Sequence, residues 1–234
     1  MAEPDIILQF EGVTVLSDTH LAVGLREVSF ALRAGEVAIV EVEEGREHVP
    51  LADVAEGLIL ADEGRVAFMG EGWETMSAHR QANRRGRIRR VFHNYGWVSN
   101  LSVLDNICLA EFHHTHRPHG DVVDEAVALA RRFGIGEIPD ARPSRVLGLV
   151  LRKLEWVRAL LGRPALVILE RPLFGAPRAD ASLLLAAVAE EARRGAAVVW
   201  LTDEPRVCGC KDFESCKRFK MEGERLVPLA PEGA

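Results

Sequence analysis

The sequence predicts an α/β fold in which a parallel sheet is covered on both faces, and three observations carry that expectation. Short apolar runs at residues 36–40, 165–169 and 197–201 have the length and composition of buried strands. Segments with helical periodicity precede the second and the third. Glycine stands where such a chain needs turns and helix stops, at Gly35, Gly64, Gly134, Gly162 and Gly195.

Taken in order, residues 6–15 alternate apolar and polar (Ile7, Leu8, Phe10, Val13, Val15) and read as edge strands, and Val28–Leu32 as another. Ala34-Gly35 makes a turn into the strand at 36–40. A helix is expected from Pro50, with Leu51, Val54, Ala55 and Leu58 on its apolar face. Asp62-Glu63-Gly64 then turns the chain into a strand at 65–69. Further on, Asp121 is expected to cap a helix running to Phe133. Ser144 is expected to cap another, with Leu147, Leu151, Leu154 and Leu161 on one side. Residues 179–194 read as a helix stopped by Gly195, and residues 230–234 as a frayed tail.

Composition narrows the classes. The chain has 234 residues, 48% apolar and 27% charged, with 20 Gly, 11 Pro, 4 Cys and a net charge of −6. That excludes a collagen-like fibre, a disordered chain and a disulfide scaffold. The length suits one domain in two lobes. The acidic balance argues against a nucleic-acid partner. Met1–Asp5 is acidic and no apolar stretch follows, so no export signal is expected. The four Cys are therefore expected as reduced thiols. No apolar run is long enough to predict a membrane span.

Four separated blocks carry a resemblance. They are Gly35-Glu-Val-Ala-Ile-Val40 with Ala55-Glu-Gly57 and Asp62-Glu-Gly-Arg-Val66; Val91-Phe-His-Asn94 followed by Leu101–Ile107; Arg158–Pro172; and Val198–Asp203. In order and spacing they resemble the nucleotide-binding (ATPase) subunit of ABC transporters over almost the whole chain. The run Phe92–Pro118, with Asp105-Asn106 and His114-Thr115, is most similar to the lipid-transport subunits of the Mla and Mce type. The resemblance implies a RecA-like sheet core with an antiparallel β subdomain, about 1–92 and 163–229, and a helical subdomain, about 93–162. It also implies a permease partner, a second ATPase subunit or a second copy, and a peripheral place on the inner face of the cytoplasmic membrane. Permease contacts are expected at Trp97, Val98, Leu101, His113 and His114.

The motif positions are kept while their chemistry is not. A phosphate loop needs glycines so that backbone N–H groups face the phosphates, a Lys for the β/γ-phosphates, and a Ser/Thr hydroxyl for Mg²⁺. Here the loop is Val42–Pro50. His48 stands in place of the Lys, Val49 in place of the hydroxyl, and Gly45 alone survives. Glu43, Glu44 and Glu47 add negative charge where a triphosphate would sit. At an effective dielectric of about 20, each like-charge contact near 4 Å costs a few kcal/mol. By the same resemblance Glu170 replaces the Mg²⁺-ordering Asp, and Arg171 the water-activating Glu. An Arg, always protonated, is no base. His93 replaces the Q-loop Gln, Leu147 the signature-loop Ser beside the retained Gly148, Pro177 the D-loop Asp, and Asp203 the switch His.

The expectation is a pseudo-ATPase subunit of a bacterial lipid transporter, with no catalytic residue and no cofactor, ATP and Mg²⁺ entering only if the site is competent. A divergent active ATPase and a soluble regulatory or scaffold protein remain open as other readings. Arg171 and Asp203, of opposite charge at the ends of two buried strands, predict an ion pair of Arg171 with Asp203 or Glu170, with His48 joining a Glu. Cys208, Cys210 and Cys216 are a weak metal candidate beside the reduced-thiol reading, because their spacing is not a finger spacing. The tract His113, His114, His116 and His119 reads as a polar contact surface, with a metal as the lesser alternative. Arg84, Arg85, Arg87, Arg89 and Arg90 read as a solvated turn and strand edge rather than a lipid-facing patch.

Overall fold

A computed structural model describes residues 5–17, 22–43, 49–94, 96–208 and 212–230. The elements run β1 (Ile6–Val15), β2 (Leu25–Arg33), β3 (Val37–Glu41), α1 (Leu51–Ala55), β4 (Glu63–Phe68), β5 (Glu71–Gly72), α2 (Ala78–Arg85), β6 (Ile88–Val91), α3 (Val103–His114) and α4 (His119–Arg132). They continue with α5 (Gly148–Leu160), β7 (Leu166–Glu170), α6 (Ala181–Arg193), β8 (Ala197–Thr202), α7 (Pro205–Cys208), β9 (Cys216–Glu222) and β10 (Arg225–Pro228).

Two sheets form. The strand order β2-β1-β4-β5 makes an antiparallel sheet. The order β10-β9-β3-β8-β7-β6 makes a sheet that is parallel except for its β10–β9 edge. Period-two alternation sends the central strands into two cores. Ala38, Val40, Leu166, Ile168, Ala197 and Val199 join Phe10, Phe68 and Trp73 under the antiparallel sheet. Val37, Ile39, Val167, Leu169, Val198 and Trp200 face Ile107, Phe133, Leu154 and Trp156 of the helical side. Each layer needs the next to bury its apolar face, which fixes the order of layers. Gly57, at φ +64°, lets the Trp73 ring pack where a Cβ would come within 2.4 Å of it.

Several element expectations need correction. The helix after Pro50 lasts only from Leu51 to Ala55, and Leu58 is exposed instead of lying on its buried face. The helix expected from Asp121 starts at His119, so Asp121 sits in the first turn and accompanies the helix dipole instead of capping it. A 3₁₀ turn at Pro143–Arg145 consumes the predicted cap Ser144, and α5 starts at Gly148, leaving Leu147 outside. Helix α2, with Ser77 as its cap, and α3, with a Ser102–Asp105 capping box, carry sequence signals that periodicity alone passed over.

Candidate functional site

The parallel strands β3, β6, β7 and β8 end together, and loops at such an edge are where open α/β sheets place their sites. Gly45 and His48, and with them the expected His48–Glu pair, lie outside the described residues. The rest of the constellation can be placed.

Glu170, the last residue of β7, is buried, and its Oε2 is taken twice. It accepts from Arg90 Nε at 2.7 Å and from the His93 backbone N–H at 3.3 Å. The Arg90 guanidinium also reaches Asp53 Oδ1 at 2.7 Å on α1 and Glu56 Oε2 at 2.9 Å just after it, and it lies over the Phe92 ring. One buried cation thus serves three carboxylates from two elements. Burial works against the charge of Arg90, but Glu170, Glu56 and Asp53 outweigh it and hold the guanidinium protonated. Burial raises the Glu56 carboxyl, with Arg90 pulling the other way.

The second arrangement is at the strand tips. Arg171 directly follows β7, its N–H donating to the Leu201 carbonyl at 2.9 Å. Arg171 Nε stands 3.5 Å from Asp203 Oδ2 after β8, and Nη2 donates to the Glu43 carbonyl after β3 at 2.6 Å. The expected Arg171–Asp203 pair is present, while Glu170 goes to Arg90. Arg171 holds a left-handed backbone at φ +43°, rare for a residue with a Cβ.

As a Mg²⁺ site this donor set fits poorly. Val49 is buried and offers no oxygen, and the carboxylate of Glu170 is held by a guanidinium where a cation would need it. The sequence alone placed Arg90 on a solvated edge and gave no role to Asp53 and Glu56. The signal was present: acids three apart share a helix face, and two consecutive Arg inside a four-residue strand point to opposite faces of the sheet. Apart from the exposed Arg87, the basic run is therefore not a solvated edge. Arg84 pairs with Glu71, Arg85 donates to the Glu56 and Gly57 carbonyls, and Arg89 and Arg90 are buried.

Beside this edge, Trp97 is held under Arg158, whose guanidinium sits 4.7 Å from the ring centroid and donates to the Gly96 carbonyl at 2.7 Å. Buried Glu155 on α5 accepts from Arg152 at 2.8 Å. Burial lifts its carboxyl to about 7 even though Arg152 and Arg158 oppose the rise. Val98, 42% exposed, is pinned by Asn106, which accepts from its N–H and donates to its carbonyl. Leu101 is half-buried in the same loop before α3.

His113 and His114 stand at the other end of α3, a helix length from the loop that carries Trp97, Val98 and Leu101. The His113 ring meets His114 edge-on, and His119 stacks on Phe112. Leu147 is 77% exposed, Gly148 opens α5, and Pro177 is exposed on the loop after Phe174. Among the described residues no group of three or more His, Cys, Asp or Glu side chains is placed to hold a metal ion. The reduced-thiol expectation fails at Cys216, which is in a disulfide. Cys210 and the Cys208 side chain lie outside what the structure describes.

No family model matches the chain. It is 24% identical over 214 residues to the macrolide export ATP-binding/permease protein of Chlorobaculum tepidum, covering 88% of this chain and 33% of that protein. It is 29% identical over 173 residues to the phosphonates import ATP-binding protein of Frankia casuarinae, covering 71% of this chain and 68% of that one. It is 31% identical over 160 residues to the octopine permease ATP-binding protein of Rhizobium radiobacter, covering 63% and 60%. The chain thus spans a third of the macrolide protein and 60% of the octopine one. Among solved structures it matches a dimeric post-hydrolysis state of the ATP-binding cassette MJ0796 bound to ADP and Pi, at TM-score 0.84 and 15% identity, over 97% of this chain and all of that one. It also matches an ATP-binding subunit of an ABC transporter, at TM-score 0.80 and 17% identity, over 94% of this chain and 88% of that one. The chain has the ATP-binding-cassette fold and is similar in sequence to transporter ATP-binding subunits.

Proposed function

We propose that the chain is a catalytically silent cassette subunit, a pseudo-ATPase, of a bacterial ABC transporter. It docks on a membrane permease from the inner face of the cytoplasmic membrane and pairs with an intact ATPase subunit or a second copy of itself. The observation that carries this reading is the occupation of the strand edge by fixed ion pairs. Arg90 holds Glu170, and Arg171 ties Asp203 to the Glu43 carbonyl. A triphosphate would have to displace a buried cation from its acids, and the position that would activate water holds Arg171, which is no base.

The named relatives couple ATP-binding subunits to importers and exporters of different substrates, which supports transport as the setting. Among the described residues no helix is long and apolar enough to cross a membrane, in keeping with docking on a separate permease. The substrate class we assign, lipid, rests on Phe92–Pro118 alone. On this reading the chain pairs with another subunit while its own ATP position is filled, so a partner with intact motifs would drive the cycle.

Purification of the tagged chain from its host under mild detergent tests the assignment. Co-purification of a permease and an ATPase with an intact phosphate loop is the expected result. A chain recovered without any membrane protein would instead favour a soluble scaffold derived from the same fold.

A further inference from the structure

A cavity of about 1040 Å³ opens at the opposite end of the parallel sheet, where β6, β7 and β8 begin. Its lining includes five arginines and three glutamates in a chain whose net charge is −6. The acids are already engaged. Buried Glu111 pairs with buried Arg89 and, at 3.1 Å, with Arg117. Glu125 takes Arg117 at 2.6 Å and accepts from the Gly162 N–H. Glu191 takes Arg194. Gly162, at φ +83°, allows this close packing, since a Cβ there would come within 2.3 Å of Glu111.

Helices α2, α3, α5 and α6 all end near this edge, and their carbonyl ends disfavour an anion. Arg89 answers part of that field by donating to the Gly86 and Ile88 carbonyls. Arg87 and Arg163 remain. Neither guanidinium has a hydrogen-bonding or ion-pairing partner among the described residues, and both line the cavity. They belong to adjoining chain segments, because the Arg87 carbonyl accepts from the Ala165 N–H at 2.8 Å.

We propose that this cavity binds a small organic molecule carrying a phosphoryl group, held by Arg87 and Arg163. Two planar forks present more donors than one carboxylate has oxygens, and a phosphoryl dianion matches them. The space far exceeds a bare phosphate, so the phosphoryl group is one end of a larger molecule. The site stands apart from the strand-tip ion pairs and does not depend on the pseudo-ATPase reading.

Calorimetric titration with inorganic pyrophosphate tests the site on the native chain, the Arg87→Ala/Arg163→Ala double variant and Arg171→Ala. Both cavity arginines are exposed, so the double variant should keep its fold, which a thermal melt confirms. The native chain and Arg171→Ala should bind alike, and the double variant at least about tenfold more weakly, the loss expected for a charge-assisted contact. Arg163→Lys, which keeps the charge but loses the fork, should fall between. Absence of binding at millimolar pyrophosphate, or equal binding by the double variant, overturns the proposal. Binding lost only in Arg171→Ala would overturn it too, and would place the anion at the strand tips, against the pseudo-ATPase reading.

Discussion

The Arg171 guanidinium lies between the Asp203 carboxylate, 3.5 Å from its Nε, and the Glu43 carbonyl, 2.6 Å from its Nη2. It joins the ends of β7, β8 and β3 in one contact. The left-handed backbone at φ +43° that aims it there carries a strain of about 1–3 kcal/mol. Such strain persists only where the surroundings over-determine it, and here the N–H of the same residue is also tied to Leu201.

The Arg171–Asp203 contact is long and partly open, so its coupling should be modest. A double-mutant cycle with Arg171→Met and Asp203→Asn should give a coupling of about 0.5–1 kcal/mol in chemical denaturation. Strictly additive losses would show that the two charges do not interact.

Arg90 is the costlier group to lose. Arg90→Met should destabilise the chain by about 3–5 kcal/mol, because it leaves buried carboxylates facing one another. The deficit should shrink toward acid pH as Glu56, already raised, takes a proton first. A loss under about 1 kcal/mol would mean that the acids find other partners without Arg90.

The layered architecture was legible because its signals are local and periodic. Val37–Glu41, Leu166–Glu170 and Ala197–Thr202 could be little else than buried strands, and the glycine stops marked the helix ends. The Arg171–Asp203 pair was also legible, since opposite charges at two such strand ends must face one edge. The partners of Arg90 were not, because Asp53, Glu56 and Glu170 lie far away in sequence: the β6–β7 pairing brings Glu170 to it, and the placing of α1 brings Asp53 and Glu56. The start of α5 was missed for a related reason: Ser144 has cap chemistry, but Pro143 diverts it into a 3₁₀ turn.

Glu155 should make stability depend on pH. Its folded carboxyl titrates at about 7, above its ordinary range, so the native state holds the proton longer than the unfolded one. The stability it contributes is full below about pH 4.5 and is lost as pH rises through 7, in total about 3 kcal/mol. Glu155→Gln should remove that slope between pH 5 and 7 in thermal melts. An unchanged slope would assign it to other groups.

Leu147 tests the subunit contact. It is 77% exposed, with Leu149 also exposed beside it, so neither is needed for the core. Leu147→Asp should leave the melting temperature of the isolated chain unchanged and weaken its pairing with the partner ATPase by at least about tenfold in analytical ultracentrifugation. Undiminished pairing would place the interface elsewhere.

A nucleotide position filled from within should not take ATP. Isothermal titration of the Arg87→Ala/Arg163→Ala chain with ATP and Mg²⁺, in which the phosphoryl contacts proposed for the cavity are removed, should give no heat of binding up to millimolar ATP. Micromolar, Mg²⁺-dependent binding by that chain would refute the filled site.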